Sequence, residues 1–145
     1  ENDGEDEDYD GQCDTGDVDL DLNIGGNLIS FYALPEDGNY SVENIFGNDG
    51  SISAVYGEGV MAAYLGDGYW AGSLQDISAD EGYYVIANEA TSLEVQGLPT
   101  APLTYYIHET ANLVSYNYHL SQPIDDAIEF EYTLFIIIEL KLNRL

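Results

Sequence analysis

Cysteine occurs once in this chain of 145 residues, at Cys13. A single thiol excludes an internal disulfide framework and any metal site built from paired thiolates, so Cys13 is either a free thiol or one that pairs between molecules. Basic side chains are almost as scarce: Lys141 and Arg144 stand against 28 acids, for a formal net charge of −26. A potential of that sign and size repels phosphates and anionic lipid surfaces, which argues against nucleic acid and membrane docking and leaves cations and neutral molecules as partners. No stretch approaches the roughly 18 apolar residues of a membrane-crossing helix, because the block from Tyr132 to Ile138 is short and bounded by Glu131 and Glu139. The first residue is Glu1 rather than methionine, which fits a processed, exported protein or a fragment. One-sided acidity of this kind suits a salt-rich or calcium-rich exterior, where counterions screen self-repulsion.

Catalytic groupings are lacking too. His108 and His119 are the only histidines, and no cysteine or carboxylate stands at zinc-ligand spacing from them, so both read as surface or packing residues. Carboxylates are too plentiful for any pair to single out a glycosidase, and Gly72-Ser73-Leu74 lacks the second glycine of a nucleophile elbow. No catalytic residues are assigned, and the expectation is a protein that is not an enzyme.

What is present is a β pattern of one domain's length, with 45% apolar residues, 15 glycines and 13 tyrosines. Residues 1–21 carry eleven acids and little that would enter a core, so 1–17 read as an acidic arm. From Val18 a period of two sets in, with Val18, Leu20, Leu22 and Ile24 apolar between polar neighbours, which predicts a strand with one buried face before Gly25-Gly26 turns the chain. Asn27 to Leu34 reads as a buried strand ended by Pro35-Glu36-Asp37-Gly38. Ser41 to Phe46 predicts a short helix, capped by Ser41, with Val42, Ile45 and Phe46 on one face and Gly47 stopping it. Short strands are expected at Ser51 to Tyr56, Val60 to Leu65, Tyr69 to Leu74, Gly82 to Ala87 and Ser92 to Gln96, separated by glycine-rich turns.

An internal repeat follows. Asn27-Leu28-Ile29-Ser30-Phe31 recurs as Asn112-Leu113-Val114-Ser115-Tyr116 at an offset of 85 residues, and Ser41 to Phe46 answers to Pro123 to Ile128 at an offset of 82. Nothing after Ile128 resembles the later strands of the first copy. The tail, Glu129 to Leu145, instead has Phe130, Tyr132, Leu134, Ile136 and Ile138 alternating with residues that include Phe135 and Ile137, a strand apolar on both faces that needs covering on two sides. The expected organisation is an acidic arm (1–17), a complete β repeat (18–103) and a partial second repeat with an apolar terminal strand (104–145).

Two further patterns bear on ligands. Asp6, Asp8, Asp10, Gln12 and Asp17, with Gly11 and Asp14 among them, have the spacing of a calcium loop, in which alternate oxygens converge on a hard cation. The stretch resembles thrombospondin type 3 and dockerin modules over about twelve residues, but it ends in aspartate rather than glutamate; the alternative is a solvated acidic linker. Tyr69, Trp70, Tyr83 and Tyr84 concentrate aromatic surface. Alternation puts Trp70 and Tyr83 in a core with Tyr69 and Tyr84 outside, while the competing reading is a carbohydrate-stacking platform.

The order Asn27-Leu28-Ile29-Ser30-Phe31, Ser41-Val42-x-x-Ile45-Phe46, Gly57-Glu58-Gly59, Tyr69-Trp70-x-Gly72-Ser73-Leu74, Gly82-Tyr83-Tyr84-Val85 and Leu93-x-Val95-x-Gly97 resembles a repeat of large secreted and surface proteins of marine and other environmental bacteria. There the pattern runs GxNLISF, WxGSL, GYWV and then a strand ending in glycine; this chain has Gly26 and Tyr84 where tryptophan is frequent. The resemblance covers Leu22 to about Pro102 and implies an exported, non-catalytic stalk or adhesive setting.

Together these readings predict an all-β fold, an antiparallel sandwich or barrel-like module with one short helix per repeat and an incomplete second repeat. The expected role is an extracellular or cell-surface structural subunit that self-assembles, as a filament or surface layer, by strand complementation. The strands expected to pair with a neighbouring copy are those of Val18, Leu20, Leu22 and Ile24 and of Tyr132, Leu134, Ile136 and Ile138. The alternative is a carbohydrate-binding or adhesive module on a calcium-binding linker.

Overall fold

The computed structural model describes residues 16–101, 103–117 and 123. The fold is all-β and antiparallel. Among the described residues there are nine strands, β1 (Val18–Leu22), β2 (Gly25–Ser30), β3 (Ala33–Leu34), β4 (Ile52–Tyr56), β5 (Met61–Tyr64), β6 (Trp70–Gly72), β7 (Gly82–Ala87), β8 (Thr91–Val95) and β9 (Leu98–Pro99), and one helix, α1 (Val42–Phe46). A five-stranded sheet has the order β2-β7-β4-β5-β6, while β1 pairs with β8 and β3 with β9. Among the described residues the sheets do not close into a barrel.

One core joins these pieces. Alternation along β7 sends Tyr83, Val85 and Ala87 inward and leaves Tyr84 exposed. Val18 and Leu22 of β1 meet the same cluster, with Leu93 and Val95 of β8. At its centre Phe31 is fully buried, 6.0 Å from Phe46 and 6.2 Å from Tyr83, ring centre to ring centre. Phe46 continues the contact to Trp70 at 6.3 Å, and Trp70 to Tyr64 at 5.4 Å.

The helix forms for the reasons its sequence supplies. Ser41 stands at its N-cap, its hydroxyl accepting from the Asn44 N–H at 3.4 Å, and Val42, Ile45 and Phe46 are buried. Gly47 ends it at φ 72°, a left-handed conformation that a side chain disfavours. Trp70 then donates its Nε1–H to the Gly47 carbonyl at 2.9 Å, so the indole that packs on Phe46 also satisfies the end of its helix.

Two expectations are corrected. The run from Asn27 to Leu34 is not one strand: it breaks at Phe31 and Tyr32, where the chain leaves the five-stranded sheet for the β3–β9 pair. Phe31 fills the corner and the backbone pivots around it. The first strand stops at Leu22, and Ile24 is 72% exposed rather than on the buried face. The Asn27 side chain is the reason. Its carbonyl accepts the Asn23 N–H at 2.9 Å and its amide donates to the Asn23 carbonyl at 2.8 Å, closing a turn that lifts Ile24 off the core. The helix expected in the second repeat and the strand at Tyr132 to Ile138 lie outside the described residues.

Removing Phe31 is expected to open a cavity no neighbour can fill, so Phe31→Ala should cost about 3–5 kcal/mol in urea unfolding. Ile24→Ala, on the exposed turn, should change stability by less than about 1 kcal/mol.

Candidate functional site

The first candidate surface is the outer face of the five-stranded sheet. The register puts Leu28 of β2 opposite Tyr84 of β7, Tyr84 opposite Tyr56 of β4, and Tyr56 opposite Met61 of β5, a row across four strands. Leu28 is 69% exposed, Tyr84 46% and Tyr56 42%. The neighbouring row is Gly26, Ile86, Ala54, Ala63 and Ala71. Tyr84 reclines over Gly26, where a Cβ would collide with its hydroxyl, so the missing side chain lets the ring lie against the backbone of the edge strand. Neither row contains a charge. By contrast, the outward positions of the β1–β8 pair set Asp19 opposite Glu94 and Asp21 opposite Ser92.

The second candidate is an open cleft of about 340 Å³ between the β4–β5 turn, the start of β7 and the segment 105–114. Glu58 anchors it: one carboxylate oxygen accepts the Leu113 N–H at 3.2 Å and the other pairs with His108 Nε2. The Leu113 N–H, and then the His108 ring, hold the Glu58 carboxyl below its ordinary value. Leu113 returns its carbonyl to the Gly82 N–H at 3.0 Å, Ser115 donates its N–H to Asp80 at 3.1 Å, and Val114 bridges Glu81. Beneath this contact the fully buried Tyr83 hydroxyl accepts from the Ser78 N–H at 2.7 Å and donates to Glu81 at 3.2 Å, and burial pushes its phenol well up. The cleft lining holds three acids, Glu58, Asp80 and Glu81, and the His108 imidazole, with no serine, threonine, cysteine or lysine among the described residues. The Glu58 carboxylate ties His108 and Leu113 to the β4–β5 hairpin.

The aromatic quartet does not form one platform. Tyr83 is buried, Trp70 is half-buried against the core, and Tyr69 and Tyr84 are exposed. Val18, Leu20 and Leu22 pair with Val95, Leu93 and Thr91 of the same chain. Of the calcium-loop residues, Asp6, Asp8, Asp10 and Gln12 lie outside the described residues, as do Tyr132, Leu134, Ile136 and Ile138 and also His119. Asp17 immediately precedes β1, and its carbonyl accepts the Tyr32 hydroxyl. Among the described residues no group of three or more His, Cys, Asp or Glu side chains is disposed to hold a metal.

Sequence reading missed Leu28, Tyr56, Met61 and Ile86 as a surface, although a signal existed. Gly82 to Ala87 and Ile52 to Tyr56 place apolar residues at both parities, so one of their two faces had to be an apolar outer one. It also missed the Glu58–His108 contact, which spans 50 residues and has no local signature.

The two sequence copies share a local geometry. Asn112 accepts the His108 N–H at 3.0 Å and donates to the His108 carbonyl at 2.9 Å, as Asn27 does with Asn23. Gly25 has φ 93° and Thr110, 85 residues later, φ 99°. No protein-family model, no curated protein and no solved structure matches this chain.

Two outcomes follow for this region. Glu58 contributes to the tether while ionised; with its pKa lowered, that contribution is present above the ordinary carboxyl value of 4.5 and lost as pH falls through the folded value. The Leu113 amide resonance should therefore titrate with a midpoint below 4.5, and Glu58→Gln should abolish that titration. Thr110 holds a β-branched residue where the first copy has glycine, so Thr110→Gly is expected to stabilise the folded chain by about 1 kcal/mol in urea titration.

Proposed function

We propose that this chain is a non-catalytic structural module of an extracellular or cell-surface assembly that associates with copies of itself. The observation that carries the reading is the outer sheet face: Leu28, Tyr84, Tyr56 and Met61 form a charge-free row on a chain of net charge −26. Contiguous apolar surface is left uncovered by soluble chains chiefly where something docks. Sheet edges add to it, since among the described residues β2 and β6 each have a strand partner on one side only. Repulsion between copies is long-ranged in dilute salt and falls within about 8 Å at physiological ionic strength, so apolar contact prevails only once the charge is screened. Calcium serves the same end if the loop-like spacing of Asp6, Asp8, Asp10, Gln12 and Asp17 holds it.

The adjacency of the exposed Tyr56 and Tyr84 rings favours one second reading, a carbohydrate-stacking surface that differs from the quartet named by sequence. Retention on a glycan panel that is lost with Tyr84→Ala would support it; an unchanged profile would dismiss it.

Light scattering with negative-stain microscopy across sodium chloride and calcium chloride series tests the assembly reading. Mass is expected to rise with screening, ending in regular particles or filaments, whereas a monomer under every condition would overturn it.

A further inference from the structure

We propose that the charge-free outer face of the five-stranded sheet is the docking surface for residues 132–138 of the same chain. The inference deepens the assembly reading and rests on it only for what the docked segment then offers to a neighbour.

The face demands an apolar occupant. Leu28, Tyr84 and Tyr56 are the most exposed of its large side chains, and the second row presents Ile86 and three alanines, with no charge to recognise an ion and few polar groups to orient a sugar. An acidic partner gains nothing there. A charge-free apolar strand gains contact along its length.

The chain outside the described residues begins at the right place. Tyr116 donates its N–H to the Ser30 hydroxyl at 3.0 Å, and that hydroxyl donates back to the Tyr116 carbonyl at 3.4 Å. Ser30 occupies an outer-face position of edge strand β2, two residues from Leu28. Asn117 is buried alongside, donating to Thr100 at 2.8 Å and accepting from the Tyr105 hydroxyl at 2.8 Å. The route of the chain is thus pinned at the border of the face. Fourteen residues separate Asn117 from Tyr132, and at about 3.3 Å each they reach roughly 46 Å. The face from β2 to β6 is about 19 Å wide, four strand spacings.

Composition completes the match. Tyr132 to Ile138 carries no charge between Glu131 and Glu139. Extended, seven residues cover about 23 Å, the scale of the face. Tethering at this range gives an effective concentration in the millimolar range, above that of a second copy at ordinary protein concentrations. An extended 132–138 has two apolar sides, and a sheet covers one. Leu134, Ile136 and Ile138 on the sheet leave Phe135 and Ile137 for a neighbouring copy, which is how docking and assembly would be linked.

Hydroxyl-radical labelling of the full chain, read by mass spectrometry, tests this. Tyr56, Met61 and Tyr84 are expected to label slowly at every protein concentration and several-fold faster in a Leu134→Asp/Ile136→Asp double variant, with Tyr69 unchanged in both. Equal rates in the two proteins would overturn the proposal, as would protection that arises only as concentration rises, which would make a second copy the occupant. In a second arm that leaves the tail intact, Tyr84→Asp should raise labelling of Phe135 several-fold; no change would overturn the proposal, and this arm decides if labelling of Phe31 shows the double variant to be unfolded. Light scattering on the same samples separates the two readings: a monomer with a protected face upholds docking and sinks assembly, and an oligomer with a freely labelled face does the reverse.

Discussion

The fold depends on one chain of aromatic contacts among the described residues, Tyr83–Phe31–Phe46–Trp70–Tyr64, in which Phe31 joins β7 to the helix. Each member comes from a different element or junction: β7, the corner after β2, α1, β6 and β5. The β2–β3 crossing between sheets therefore has no independent hinge; it is where a ring must enter the core. Edge and tilted ring contacts of this kind contribute about 0.5–1.5 kcal/mol each beyond the area they bury. The three members with a polar group also tie up backbone along the line, Tyr64 by donating to the Asn48 carbonyl and accepting the Gly68 N–H. Trp70 holds the Gly47 carbonyl, and Tyr83 accepts the Ser78 N–H while donating to Glu81. A single apolar line thus fixes the helix end and the approach to β7, and through Glu81 it reaches the residue that Val114 bridges.

Around that line the distribution of charge is uneven in an informative way. The β1–β8 pair turns its acids outward and sets Asp19 directly across from Glu94, a like-charge pairing that weakens the strand contact in dilute salt. Val18, Leu20 and Leu22 on its other face offset that repulsion by burial beside Leu93 and Val95. The five-stranded sheet lacks the same division. Its outer positions are apolar or small, so it is two-sided in the sense that sequence alternation normally prevents. None of the chain's 28 acids stands on these two rows.

Much of this was legible in the residues, and the division between what was and what was not is local against non-local. The helix from Ser41, its stop at Gly47, the strand Gly82–Ala87 and the turns between β4, β5 and β6 depend on capping, period and glycine, all of which act within a few positions. Trp70 and Tyr83 turned inward and Tyr69 and Tyr84 outward as alternation required. What escaped was set by partners distant in sequence. The run Asn27 to Leu34 contains no glycine or proline to announce the break at Phe31, because the break belongs to the core it fills. Ile24 reads as buried by period and is exposed because Asn27 folds its side chain back onto Asn23. Glu58 sits in a glycine turn like any surface acid until His108 and Leu113 arrive from 50 and 55 residues away.

The asparagine turn shows how far a local motif carries by itself. Asn27 and Asn112 make the same pair of bonds to the residue four positions earlier, around a positive φ at Gly25 and Thr110. After the first turn the chain enters β2 and pairs along six residues with β7. After the second it makes one bridge, Val114 to Glu81, with flanking hydrogen bonds at Gly82 and Ser115. The turn is encoded by its own side chain and forms in both places; the strand that follows exists only where a partner edge is free to receive it. Along β7 that edge is already taken, by β2 on one side and β4 on the other, leaving only the residues at its start. The segment 112–117 is therefore held by scattered bonds rather than by a continuous ladder, to Glu58, Gly82 and Asp80 and then to Ser30 and Thr100, and its path is directed to the border of the outer sheet face.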